Sequence, residues 1–205
     1  MQSAQQEKLE DALLNTAAIA DEFEGYAHSH AFRIARLADA VGQKFNLAAH
    51  DLDALRQAAF VHDLGAVVMM RGYIKDARPL HAEERLDLQR HPVIGEQETA
   101  KRGLVRAVQL IVRWHHEWWN GSGYPDGLRG GQIPLAARIL RIADTYCALT
   151  DARPHRAAFS EADARKYLVE WAAIEFDPQI VKVFLELKDL EELKSFARPP
   201  ASRIN

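Results

Sequence analysis

The amino-acid sequence predicts an all-α protein, a helical bundle that is interrupted by two loops. Apolar residues recur at helical spacing along most of the 205-residue chain. We find no run of alternating apolar and polar residues that would indicate a strand. The longest pieces without a helical period cover roughly residues 65–81 and 117–133, and the second is dense in glycine and proline.

Apolar stripes and helix-start signals predict the helices in order along the chain. The stripes are Leu9-Leu13-Ala17-Ala20, Ile34-Leu37-Val41, Leu52-Leu55-Ala59, Leu104-Val108-Ile111 and Leu135-Ile139-Ile142-Tyr146-Leu149. Two C-terminal helices are predicted to start near Ser160, which precedes acidic residues, and near Asp177, which precedes a proline. We expect segment 1–23 to be an N-terminal helix that packs on its own bundle or pairs with another copy. We expect one domain over 24–190 and a loose tail over 191–205.

The composition excludes several classes of protein. Cys147 is the only cysteine, which excludes an internal disulfide and fits a reducing, cytoplasmic compartment. No apolar run is long enough to cross a bilayer, and the N-terminus lacks the order of a secretory signal. Because the formal net charge is only −3, we expect neither DNA nor a membrane surface as a partner.

Several of the nine histidines continue the apolar stripes, so their imidazoles are expected to face the interior. One such histidine is more often a hydrogen-bonded core residue than a ligand. Several on separate helices, together with carboxylates, would make a poor core but a good cage for one or two first-row metal ions. A carboxylate between two ions allows them to lie roughly 3.5–4 Å apart, an arrangement that clamps the attacking and leaving oxygens at phosphorus. The inward-facing set is His30, His62, Asp63, His91, His115, His116 and Asp144.

Ordered motifs give a resemblance to a known family. They are VHDLG at 61–65, HP at 91–92, HHE at 115–117, GSGYPDG at 121–127 and IPLAARILRIADTYCALTDARPHR at 133–156. Over roughly residues 24–190 the chain resembles the HD-GYP family, a branch of the HD-domain metal-dependent phosphohydrolases. The resemblance implies an HD-domain helical bundle with a GYP loop, and hydrolysis of cyclic di-GMP, or a related cyclic dinucleotide, to pGpG or GMP.

The resemblance also implies roles for individual residues. Asp63 is the expected bridging carboxylate, and it shares the catalytic role with Asp144. One ion would be held by His30, His62 and Asp144, and the other by His91, His115 and His116. The ligand set suits iron or manganese, and zinc is also compatible with it. Arg153 and Arg156 match positions that contact the substrate's phosphate and guanine. The aromatic residues beside the GYP motif, Tyr124, Trp118 and Trp119, either offer faces for guanine stacking or pin the loop to the bundle, and pinning is the expectation for the tryptophans.

This sequence departs from the family pattern at several positions. HDxGK reads HDLGA, with Ala66 in place of a lysine that meets a substrate phosphate; Lys75 is either its spatial substitute or, more simply, a solvated surface residue. Tyr26 stands where members with three metals carry a glutamate, which favours two ions. Cys147 replaces an aspartate and is expected in the core, and His155 replaces a tyrosine and is expected to face solvent.

The loss of the lysine leaves alternatives to catalysis open. A weakened HD-GYP domain would keep its metal and act as a cyclic-dinucleotide sensor or a protein-interaction module. A phosphohydrolase that acts on another nucleotide is a third hypothesis.

Two kinds of protein partner are also expected. The resemblance implies that diguanylate cyclase (GGDEF) domains bind the GYP loop, and segment 1–23 is compatible with a homodimer.

Overall fold

The computed structural model describes residues 2–26, 29–76, 78–152, 157–188 and 190. These residues form α-helices and contain no β-strand, which confirms the predicted fold class. The helices are α1 (Gln2–Glu24), α2 (His30–Lys44), α3 (Ala49–Val61), α4 (Leu64–Met69), α5 (Ala82–Leu88), α6 (His91–Lys101), α7 (Arg106–Trp114), α8 (Leu135–Thr150), α9 (Glu161–Glu170) and α10 (Pro178–Leu185).

The core lies where the predicted stripes of α2, α3, α7 and α8 meet. The stripe of α2 is wholly buried, and α8 buries every residue of its stripe except the first. Cys147 is completely buried in α8, as expected for a small core residue. On α1, Leu13, Ala17 and Ala20 are buried against the rest of this chain. The apolar face of α1 therefore packs on its own bundle.

The prediction that residues 65–81 are not helical was wrong. They include most of α4 and a 3₁₀ turn over Gly72–Lys75. Helix α4 is only six residues long, too short to show a helical period, and it ends at Met70 in a left-handed conformation with φ of 50°. A Cβ on Gly65 would lie 2.0 Å from the carbonyl oxygen of His91, so glycine allows α4 to pack closely on α6.

The remaining helix predictions are confirmed. Residues 117–133 contain no α-helix and only a 3₁₀ turn at Gly130–Gln132. The side chain of Ser160 accepts the amide of Asp163 at the start of α9, and the side chain of Asp177 accepts the amide of Gln179 at the start of α10.

Some expectations lie outside the described residues, namely those for Arg153, His155, Arg156 and the tail over 191–205. Among the helices that are described, none combines the length and hydrophobicity required to span a membrane.

Candidate metal centre

The structure brings together all seven residues that the sequence predicts as metal ligands. They come from the start of α2, the α3–α4 junction, the start of α6, the end of α7 and the middle of α8. They form two adjacent groups, in each of which the potential ligand atoms lie within 4.8 Å of one another. The groups are His30, His62 and Asp144, and Asp63, His91, His115 and His116.

Asp63 lies between the two groups. Its Oδ2 is 2.8 Å from Nε2 of His62, which belongs to the first group. Its Oδ1 is 3.2 Å from Nε2 of His91 and 3.7 Å from Nε2 of His115, which belong to the second. One carboxylate thus presents a different oxygen to each group, which is the arrangement that a bridging ligand requires.

Backbone carbonyls fix the tautomer of three of these histidines. Each Nδ1 faces the carbonyl oxygen three residues earlier in the chain, at 2.9 Å for His62, 2.8 Å for His91 and 2.6 Å for His115. Because a carbonyl oxygen only accepts, Nδ1 must carry the proton, and in a neutral ring the Nε2 lone pair then faces the site. The Nε2 atoms of His91 and His115 lie 3.3 Å apart, so two lone pairs would oppose each other without a proton or a cation near them.

The first group shows the same need for a cation. Nε2 of His30 and Nε2 of His62 are buried and lack a well-aligned hydrogen bond to any residue that the structure describes, although Oδ2 of Asp63 lies 2.8 Å from the second. They lie 3.6 and 3.9 Å from Oδ1 of Asp144. An unsatisfied buried polar atom costs about 1–3 kcal/mol, whereas a cation coordinated by these atoms would satisfy them. The residues therefore fit a metal centre.

The protonation states of most ligand-type groups suit metal binding, with His62 as the exception. Burial alone would raise the pKa of Asp63, but His62, His115 and His91 around it hold that pKa well below its usual range. Burial lowers the pKa of His62, but the charges of Asp63 and Asp144 outweigh it and raise the pKa to about 10. Burial also lowers the pKa of His115 and of His116. Ionised carboxylates and neutral imidazoles are the forms that bind metal ions. Asp63, His115 and His116 already favour those forms, whereas His62 holds a proton that an ion would have to displace.

Asp151 is a part of the site that the sequence analysis missed. Its Oδ2 accepts a hydrogen bond from Nδ1 of His30 at 2.8 Å, so Nε2 of His30 faces the centre. The other carboxylate oxygen pairs with Arg33. The ring of Tyr26 stacks on that of His30 with centroids 3.7 Å apart. Asp151 lies in the motif TDARP, which was quoted for its arginine, and no role was predicted for the aspartate itself.

Glu117, the last residue of the HHE motif, holds the GYP loop in place. Its buried carboxylate accepts the backbone amides of Asp126, Gly127 and Leu128 at 2.7, 3.1 and 3.0 Å. Burial raises the pKa of Glu117, and the three amides oppose that shift. No role was predicted for this residue from the sequence. The structure shows why a glutamate follows the two histidines: it ties the loop to the turn that carries them.

The aromatic residues of the loop pack against the bundle. The ring of Tyr124 stacks on His116 at 4.8 Å between centroids, and its amide donates to the carbonyl of His116 at 3.2 Å. Trp119 lies 5.6 Å from the guanidinium of Arg138, and Trp118 packs edge-on against Trp171. These contacts agree with the expectation that the tryptophans pin the loop.

A cavity of about 670 Å³ opens beside the two groups. Its wall includes Asp63, Asp144 and Tyr124, and also Ala66, whose side chain is buried. Arg141 contributes a cation to the wall that the sequence analysis did not predict. The side chains of Lys75, Arg153 and Arg156 lie outside the part of the molecule that is described.

Comparisons with known proteins identify relatives of this chain. The family model described as HD domain matches residues 13–180. The cyclic di-GMP phosphodiesterase response regulator RpfG of Xanthomonas campestris is 32% identical over 182 residues, covering 87% of this chain and 48% of the relative. The 3′3′-cGAMP-specific phosphodiesterase 2 of Vibrio cholerae is 31% identical over 160 residues, covering 77% of this chain and 31% of the relative. The chain thus spans less than half the length of either protein.

Solved structures share the fold. A cyclic GMP-AMP specific phosphodiesterase of Vibrio cholerae superposes with a TM-score of 0.70 at 18% identity, covering 93% of this chain and 54% of that one. An HD-GYP-type protein of Bdellovibrio bacteriovorus gives a TM-score of 0.63 at 22% identity, covering 81% and 52%. At these identities the likeness supports the helical architecture alone.

Proposed function

The chain belongs to the HD domain family, and from this premise we propose that it is a metal-dependent phosphodiesterase acting on cyclic di-GMP or a related cyclic dinucleotide. The observation that carries the proposal is Asp63, whose two oxygens face two groups of ligand-type side chains beside a cavity of about 670 Å³. The relatives named above support the substrate class, since one is named for cyclic di-GMP and the other for 3′3′-cGAMP.

The proposed centre holds two divalent ions that share Asp63. His30, His62 and Asp144 would bind one ion, and His91, His115 and His116 the other, in accordance with the two groups. The mixture of imidazoles and carboxylates favours iron or manganese and is compatible with zinc. When bound, such ions supply an activated water and stabilise the charge that develops at phosphorus.

The proposed reaction is hydrolysis of a phosphodiester. The water oxygen forms a bond to phosphorus, the bond from phosphorus to the 3′-oxygen breaks, and the 3′-oxygen leaves with a proton that the water gives up. One such cleavage of cyclic di-GMP gives pGpG, and a second gives GMP. Asp144 lies at the wall of the cavity, where its carboxylate would orient the water. The contacts of Tyr124, Arg153 and Arg156 with substrate rest on the motif resemblance.

Ala66 favours a second candidate function. This residue lines the cavity at the position where the family motif has a phosphate-binding lysine. A domain without that cation would retain metal and cyclic dinucleotide and act as a sensor or as a protein-interaction module. Such a domain would bind the cyclic dinucleotide without hydrolysing it, and the absence of product would distinguish it from the enzyme.

We also propose partners and a cellular location for this protein. Exposed residues of the GYP loop, which include Asp126, Gly127 and Arg129, are available for a diguanylate cyclase (GGDEF) domain. Ile19 on α1 is 57% exposed and supports a homodimer through that helix. The single cysteine supports a cytoplasmic location.

The deciding experiment combines metal analysis with a product assay. The protein is purified anaerobically, its metal is quantified, and it is incubated with cyclic di-GMP or 3′3′-cGAMP and iron(II) or manganese(II), and the products are separated by chromatography. About two ions per chain together with a linear dinucleotide or mononucleotides would support the enzyme. Metal and cyclic-dinucleotide binding without product would support the sensor, and a chain that holds no metal would contradict both.

A further inference from the structure

Arg141 places a buried guanidinium at the metal centre. It lies on α8, one turn before Asp144, and lines the same cavity as Asp63 and Asp144. Its Nη2 donates to Oε1 of Glu175 at 2.5 Å. Its Nη1 lies 2.8 Å from Nδ1 of His116 and 3.7 Å from Oδ2 of Asp144. The side chain is 14% exposed, so the charge faces the cavity and not bulk solvent.

Nη2 of this guanidinium is held by an ion pair with Glu175. Glu175 is itself buried and lies near the hydroxyls of Thr145 and Tyr167, both at 3.4 Å, so it anchors the arginine from behind. The Nε of Arg141 is buried and forms no hydrogen bond with any of the described residues. An arginine presents a planar fork of N–H donors, and here Nη1 is the donor whose neighbours, His116 and Asp144, both belong to the metal centre.

The contact with His116 cannot persist when that histidine binds an ion. Nδ1 of His116 accepts from Arg141, so a neutral ring carries its proton on Nε2, unlike the other histidines of the site. An ion bound through Nδ1 would take the lone pair that Arg141 uses. An ion bound through Nε2 would move the proton to Nδ1, which would then be a donor. In either case Nη1 of Arg141 would lose His116 as an acceptor and would keep only the longer contact with Oδ2 of Asp144 at 3.7 Å.

The other cation of known environment on this wall uses both of its Nη atoms in contacts with carboxylates outside the metal centre. Arg78 forms hydrogen bonds with both carboxylate oxygens of Glu84, at 2.7 and 2.8 Å, and lies 3.1 Å from Asp76. Arg141 therefore offers donors to an anionic ligand within the described part of the cavity, on the wall where Ala66 provides none.

We propose that Arg141 binds a phosphate of the substrate beside the metal centre and supplies the cation that is missing at Ala66. This inference rests on the proposed phosphodiesterase function and names one of its substrate-binding residues. Guanidinium and phosphate form paired, charge-assisted hydrogen bonds, and a buried site strengthens them. The cyclic dinucleotide would thus meet a fork of donors from α8 where the family motif supplies a single ammonium.

A purely structural role of Arg141 can be distinguished from phosphate binding, because α8 carries a second arginine that serves as a matched control. Arg138 lies one turn earlier, donates from Nη1 to Asp177 at 2.5 Å, and is likewise part-buried. Like Arg141, it joins α8 to the chain segment before α10, but it does not line the cavity. Arg138→Met and Arg141→Met therefore both break an ion pair between the same elements, and only the second removes the proposed phosphate contact.

The test measures binding of inorganic phosphate to the manganese-loaded protein by calorimetric titration, with metal content and melting temperature recorded for each variant. We expect Arg141→Met to weaken phosphate binding by about 10- to 100-fold, and Arg138→Met to remain within about twofold of the parent. Arg141→Lys, which keeps the charge and a donor to Glu175, should fall in between and remains informative if the methionine variant does not fold.

Three results would overturn the proposal: no phosphate binding by the parent protein, equal phosphate affinity in parent and Arg141 variants, or equal losses at Arg141 and Arg138. Cyclic di-GMP hydrolysis by the parent is assayed separately. Arg141-dependent phosphate binding without hydrolysis would contradict the proposed function but not the anion site. Hydrolysis with phosphate binding that does not depend on Arg141 would contradict the anion site alone.

Discussion

Oδ2 of Asp151 lies 2.8 Å from Nδ1 of His30 and determines which nitrogen of that ring faces the metal centre. Arg33 pairs with the other oxygen of Asp151 and donates to Thr150 at 2.9 Å, so the carboxylate is held from behind. A carboxylate that accepts from the far nitrogen of a ligand histidine makes the near nitrogen a better donor to metal. Asp151 therefore acts on the centre through His30 and not by contact with an ion.

Removing this support should weaken metal binding without unfolding the chain. We expect Asp151→Ala to lower metal affinity by about 10- to 100-fold, and Asp151→Asn to have a smaller effect because an amide oxygen still accepts from Nδ1. Competition with a chromophoric chelator measures the affinity. Asp39→Asn is the control, since Asp39 pairs with Arg56 and Gln43 on another face of α2. Parent-like affinity in Asp151→Ala would contradict the role given to this residue.

Loss of either central ligand should remove metal and activity together. His62→Ala deletes a member of the first group, and Asp63→Ala deletes the residue between the groups. We expect both variants to lose bound metal and hydrolysis of cyclic dinucleotide, because each leaves the remaining ligands incomplete. Elemental analysis of the purified proteins gives the metal content per chain. His50→Ala serves as the control, as the side chain of His50 is 82% exposed. Undiminished metal in both ligand variants would refute the site.

Restoring the motif lysine should raise activity only moderately. In Ala66→Lys the new side chain starts from a buried position on the cavity wall and can reach toward a substrate phosphate. A preorganised donor can contribute about 10²–10³ in rate, but we expect about tenfold because Arg141 already supplies a cation. Steady-state kinetics with cyclic di-GMP measure the gain. Ala66→Met has a similar length without the charge, and an equal response of both variants would show that charge is not the cause.

The clustering of the proposed ligands could be predicted in part from the sequence, because helical periodicity indicates which side chains share a face. His30 and His62 extend apolar stripes that proved to be buried, so their imidazoles had to face the interior. The family resemblance then implied the division into two groups, and the same side chains lie in two groups in the structure.

The contacts behind the ligands could not be predicted in this way. His30 and Asp151 are 121 positions apart, and Arg141 and Glu175 are 34 apart. No local period relates such pairs, since they depend on how helices cross. Helix α4 was missed for a different reason: its six residues are fewer than two turns, and its close packing on α6 depends on Gly65, where a Cβ would lie 2.0 Å from the carbonyl oxygen of His91.

Glu117 should control the order of the GYP loop more than the metal. Glu117→Gln replaces a carboxylate that accepts three backbone amides with a neutral amide group. Hydrogen bonds to a charged group contribute about 1.5–3 kcal/mol each, so local protection of these amides should fall. Hydrogen exchange of residues 126–128 measures that loss, and metal content should remain unchanged. Glu98→Gln, which loses a contact with exposed Lys101, should leave the exchange rates unaltered. Unchanged protection in Glu117→Gln would mean that the loop is held by other contacts.

Gly123 should be intolerant of even one added carbon. A Cβ there would lie 2.2 Å from the amide nitrogen of Trp118 and 2.5 Å from the carbonyl oxygen of His116, and both are backbone atoms that side-chain rotation cannot move. Gly123→Ala must therefore push the loop away from the HHE turn, at a cost of about 1–3 kcal/mol in the free energy of unfolding. Urea denaturation measures this cost. Gly131→Ala, in the same loop, is the matched control, because its Cβ would meet no heavy atom within 4 Å.

The displacement of the loop in Gly123→Ala should also reduce metal affinity, because Tyr124 stacks on His116 and its movement would disturb the second ligand group. Equal stability of the two alanine variants would show that the loop does not pack as closely on the turn as described.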